Sequence, residues 1–207
     1  DYNVGVANYF RSSWAEMTGD PKTLLGEYYI MMGDRDFTAQ LTTIKGLNPD
    51  VIIVPNDYAE VGLILKQARE LGLTQPFLGG DAVDLPEVAE IAGDAINNDF
   101  YLTSHWSPDA FTNEASMNFG NYYREEYNRD PDSTAAVSWD AYNMLLDAIE
   151  RAGSTDPKAI RDEMAATTDY EGVTGKISID ETGDAIKSVV VLGFKDGVKQ
   201  LIKVIEP

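Results

Sequence analysis

The five residues "VIIVP" (51–55) constrain this chain more than any other stretch. They form a short, unbroken apolar run, which suits a parallel strand covered on both faces better than a strand with one wet side. A stripe of helical period lies on either side. Phe37, Leu41, Ile44 and Leu47 precede the run, with Asp36 as the expected cap, and Val61, Ile64, Leu65, Ala68 and Leu71 follow it. "NPD" (48–50) ends the first of these helices. A second strand, "PFLGG" (76–80), comes after the second, and "LPEVAEIAG" (85–93) reads as a short helix with proline at an early position. Strands alternating with helices predict βαβ units and a parallel sheet, so the fold class is α/β. Ligands in such sheets meet the carboxyl ends of the strands. Asp57, after "VIIVPN", and Asp81, after "PFLGG", are therefore expected on one rim.

Upstream, Val6, Phe10, Trp14 and Met17 mark one face of a helix, and "LLGEYYIM" (24–31) is predicted as a strand. Downstream, the pattern changes near "FYLTSHWSPD" (100–109). Phe111, Ala115, Phe119 and Tyr122 mark one helix, and Ala141, Leu145, Ala148 and Ala152 another, with no clear strand between them. A third helix starts after Asp156, its expected cap, with Pro157 in the first helical position. Strands are predicted at 175–180, 188–194 and 199–205, separated by the turn signals "DETGD" (180–184) and "KDG" (195–197). An order of α/β, then all-helical, then β fits a chain that crosses between two lobes better than one compact sheet.

Charge removes several classes of function. The chain has 207 residues and a formal net charge of -19, which repels phosphate backbones and anionic membrane surfaces, so no nucleic-acid partner is expected. No apolar run approaches the roughly 20 residues needed to span a bilayer. Without cysteine there is no disulfide, thiolate metal site or cysteine nucleophile in this sequence. The opening "DYNVGVANYF" shows no basic segment followed by an apolar core, and a mature exported chain would look the same. Hydrolase-elbow, P-loop and dinucleotide glycine motifs do not occur in the sequence, and the lone histidine, His105, has no metal-ligating partner spacing.

Four stretches together carry a resemblance: residues 33–73, "PFLGGDAVD", "AIERAGSTDPKAIRDEM" (148–164) and "YEGVTGKISIDETGD" (170–184). They resemble the type I periplasmic binding proteins, most nearly the leucine/isoleucine/valine-binding group of ABC transporter receptors. The resemblance implies two Rossmann-like lobes with parallel sheets, joined by three crossing strands, and a small solute held between them. Mapped onto this chain, 1–103 is the main part of the C-terminal lobe, 104–174 are helices of the N-terminal lobe, and 175–207 return to the C-terminal lobe. Relatives carry a long lobe and an apolar strand before the segment matching "DYNVG". The chain is therefore expected to be an incomplete C-terminal portion, or to restore the strand by self-association through the incomplete lobe. The function implied is solute binding without catalysis at the periplasmic or extracellular face, with an amino-acid-like ligand, a membrane permease as partner and no cofactor. A ligand-sensing domain of a receptor or regulator would share the same fold.

The resemblance also assigns residues. The acid matching Asp81 pairs with the ligand's ammonium, a charge-assisted bond that is strong in a dry cleft. The alternative is that Asp81 or Asp84 caps the helix near Leu85. Tyr2 matches a tyrosine lining the cleft, against the reading of a disordered end residue. Asp57 and Tyr58 stand where relatives often carry two tyrosines, so Asp57 adds a second acid to the rim or caps the helix starting near Ala59. An acid at this strand end also suits the phospho-accepting position of a receiver domain, but "PFLGG" is followed by no lysine of the kind such domains need. Trp106 is expected to pack a lobe crossing, and "DETGD" to be a hairpin turn rather than a calcium loop.

Overall fold

Ile52–Val54 forms β1, and its pairing explains the apolar run. In the computed structural model, which describes residues 2–97 and 99–207, β1 pairs in parallel with β2 (Phe77–Gly79) and β2 with β3 (Phe100–Ser104). The register sets Ile52 beside Phe77 and Phe77 beside Phe100. Ile52, Val54, Phe77, Phe100 and Leu102 are all buried. The sheet order is β1-β2-β3-β7-β8, with β7 at Val189–Lys195 and β8 at Val198–Ile205.

The chain divides into two compact units, Asp1–Thr103 with Leu192–Gln200, and Ser104–Val191 with Leu201–Pro207. In the first, α2 (Thr38–Leu47) ends where Asn48 turns left-handed at φ 48°. Asp36 accepts from the Thr38 N–H at 3.0 Å, although Phe37 holds the cap position. The helix α3 (Tyr58–Glu70) buries Ala68 together with Val61, Ile64 and Leu65, the last three each worth about 1.5–3 kcal/mol if fully removed from water. It packs on α4 (Pro86–Ala92), where a Cβ on Gly62 would lie 2.7 Å from Ile91 Cβ. Arg69, from the last turn of α3, donates to the carbonyls of Leu73 (2.7 Å) and Gln75 (2.9 Å) and sits over the Phe77 ring. That clamp sets where β2 begins.

One expectation fails near the start of the chain. The segment 24–31 forms no strand, because apolar residues make a strand only beside an edge that completes their hydrogen bonds, and none pairs with it here. Tyr29 and Met31 are exposed as a result. The expected helix exists as α1 (Tyr2–Thr18), but its apolar stripe buries no residue.

In the second unit, α5 (Glu114–Tyr127) is capped by Asn113 and α6 (Ser133–Ala152) by Asp132, whose side chains accept the N–H groups of Ser116 and Ala135. The cap on α7 (Pro157–Ala165) is Asp156, as its sequence implies. Trp106 belongs to this core, edge-on to Phe119 and beside Ala136 and Val173. A three-stranded antiparallel sheet joins β4 (Tyr170–Gly172), β5 (Gly175–Ile179) and β6 (Ala185–Lys187). The "DETGD" turn links β5 to β6, with Asp180 Oδ1 accepting from the Thr182 and Asp184 N–H groups. Residues 175–191 fall in this second unit with the helices, and Leu192–Gln200 in the first. Among the described residues β5 pairs only with β4 and β6, and the β4–β5 turn is tied to α6. Buried Asp140 of α6 accepts from Val173 N (2.7 Å), Thr174 N (2.9 Å) and Thr174 Oγ1 (2.7 Å).

Lys187 gives this unit a measurable pH signature. Burial pushes its amine down to about 8, although the nearby Asp140 charge acts to raise it. In an unfolded chain a lysine keeps its proton up to about 10.4. Between those values the unfolded state binds more protons, so stability from this group rises with pH across the window and is lost again as pH falls to about 8. Lys187→Met is expected to flatten the pH dependence of urea unfolding over that interval. An unchanged slope would show that burial does not burden the amine.

Candidate ligand-binding site

The strand-end rule puts two acids on one rim, and the structure brings both to a single open depression. The backbone leaves β1 through Pro55 and Asn56 to Asp57, and leaves β2 through Gly80 to Asp81. Tyr2, at the first turn of α1, reaches the same place. These three, with Asn3, Met32 and Ala82, line a depression of about 350 Å³. That lies within the roughly 300–1,000 Å³ of small-molecule sites.

Each side chain is held differently. The Tyr2 hydroxyl donates to Asp81 Oδ1, and burial, then this bond, pushes its ionisation up to about 12. The phenol therefore stays a donor throughout the physiological range. Gly80 permits the contact, because a Cβ there would lie 3.0 Å from the Tyr2 hydroxyl. Tyr2→Phe is expected to delete an ionisation near 12 from the alkaline absorbance titration. Loss of an ordinary one near 10 would contradict the contact.

Asp57 occupies the N-cap position of α3, yet its side chain accepts no cap hydrogen bond. Asp57 is one of the residues lining the depression. Asp84 is buried and pairs with Lys199 at 2.5 Å, while the N-cap position of α4 falls on Leu85. Tyr58 is the first residue of α3 and does not line the depression. Asn3, Met32 and Ala82 were not expected there. Asn3 and Ala82 adjoin residues that were, so proximity to Tyr2 and Asp81 was the available signal. Met32 had none, since it follows a segment read as a strand.

Two carboxylates, a phenol and an amide make this surface rich in acceptors. Such a set suits ammonium groups, and carboxylates that accept from a cation form the stronger class of hydrogen bond.

The sequence profile of the family described as "Periplasmic binding protein" matches residues 1–198. The chain belongs to the periplasmic binding protein family. This periplasmic binding protein is 28% identical over 183 residues to Leu/Ile/Val-binding protein homolog 1 of Brucella abortus, covering 88% of this chain and 47% of that one. The crystal structure of a leucine-binding protein from Thermotoga maritima superposes with a TM-score of 0.93 at 42% identity, covering all of this chain and 58% of the other. A branched-chain amino acid transporter substrate-binding protein from Streptococcus pneumoniae, solved with isoleucine, gives a TM-score of 0.83 at 32% identity, with 100% and 57% covered. The fold is thus that of type I members, and the chain spans about half the length of the curated relatives it matches.

Proposed function

We propose that this periplasmic binding protein serves as the solute-binding component of an importer for an amino acid or a closely related small molecule. The observation that carries the reading is the meeting of Tyr2, Asp57 and Asp81 around one depression at the strand ends. In this role Asp81 accepts the ligand's α-ammonium, Tyr2 holds Asp81 in place through its hydroxyl, and Asp57 faces the remainder of the ligand. Tyr58, one residue beyond, supports the start of α3. The unit built on β1, β2 and β3 corresponds to the family's C-terminal lobe, and residues 104–174 to helices of the N-terminal lobe. Binding ends in delivery to a membrane permease on the outer side of the cytoplasmic membrane, without chemical change to the solute. Relatives named for leucine, isoleucine and valine support the ligand class.

A thermal-shift screen of amino acids, amides and aromatic acids tests the reading. Ligand at a hundredfold excess over its Kd adds about 2.7 kcal/mol of stability, so a true solute raises the transition clearly. A screen in which no amino acid moves the transition would remove the proposal.

A further inference from the structure

Asp57 distinguishes this site from one built for an aliphatic side chain. The residue lines the depression, its side chain caps no N–H of α3, and no ion pair engages it among the described residues. An aliphatic group laid over it would strip its water and return no hydrogen bond, which disfavours binding. A cationic group laid there would convert the same desolvation into an ion pair. Asp81 already has Tyr2 as a donor, yet a carboxylate has about four acceptor positions, so it can take an α-ammonium as well. The overall charge of -19 raises the local concentration of cations at such a rim.

We infer that the ligand is an amino acid with a second, side-chain amine or comparable cationic donor, the α-ammonium held at Asp81 and the side-chain cation read by Asp57. This rests on the amino-acid-binding reading above and names the class of solute within it.

Calorimetry with L-lysine, L-ornithine and L-leucine, on the unsubstituted protein and on the Asp57→Asn and Asp81→Asn variants, decides it. The expected result is lysine or ornithine bound at least about tenfold more tightly than leucine. Asp57→Asn should weaken the diamino acids by about tenfold or more while leaving leucine within about threefold. Leucine bound as tightly as the diamino acids, or a preference unmoved by Asp57→Asn, overturns the inference while a loss in Asp81→Asn still upholds the amino-acid site. If no amino acid binds, or Asp81→Asn changes nothing, the site reading fails and this inference fails with it.

Discussion

Replacing Asp140 by alanine is expected to lower the stability of the unit that contains it by about 3–5 kcal/mol, the scale of orphaning several buried donors. The side chain is only 3% exposed and accepts the N–H groups of both Val173 and Thr174 together with the Thr174 hydroxyl. Truncation leaves those donors buried without an acceptor, and each such orphan costs about 1–3 kcal/mol. Gly172 limits any repair. A Cβ there would stand 2.7 Å from Asp140 Oδ2, so the turn already lies hard against the carboxylate. Asp140→Asn keeps one oxygen acceptor and should cost less than alanine. Urea unfolding measures both, and an alanine variant within about 1 kcal/mol of the parent would show that the turn is held by something else.

Asp81→Asn is expected to weaken amino-acid binding by about 2–5 kcal/mol, the scale of removing one partner from a buried charge pair. The substitution keeps the shape of the side chain and a carbonyl acceptor for the Tyr2 hydroxyl, so the fold should survive. What goes is the negative charge that an ammonium needs. Tyr2→Phe removes the neighbouring donor but leaves the charge, and should cost far less, about 0.5–1.5 kcal/mol. Equal losses in the two variants would mean that the site depends on the Tyr2–Asp81 contact rather than on the acid. Titration calorimetry with the best solute from the screen separates these outcomes.

Local chemistry made much of this fold legible. The stripe on α3 and the Asp156–Pro157 start of α7 depend only on residues within a turn or two, and both appear as read. The helix α6 begins earlier than the stripe from Ala141 suggests, since its first turn carries only Ser133, Thr134, Ala135 and Ala136 and the cap on Asp132 lies well before Ala141. The segment 24–31 misled because composition reports what a strand would bury, not whether a neighbour exists to bond it. The strands β4 and β6 are three residues each, too short for a period to show, and as YEG and AIK they lack the apolar run that marks the equally short β1. Within the site, Asp57 and Asp81 were legible from the rule that places ligands at strand ends. Tyr2 was assigned only through resemblance, and Met32 comes in from a loop whose path no local pattern encodes. Asp140 went unread for a related reason. Its role is to satisfy backbone groups on another element, and backbone groups carry no signature in a sequence.

The close approach at Gly80 has an evolutionary consequence. A Cβ at position 80 would stand tight against the tyrosine hydroxyl at position 2, so the glycine is not free to change while the tyrosine keeps its place. Among descendants of this sequence, loss of the glycine should be found with a smaller or displaced residue at position 2. A lineage that retains Tyr2 should retain Gly80 as well, whatever solute it has come to carry.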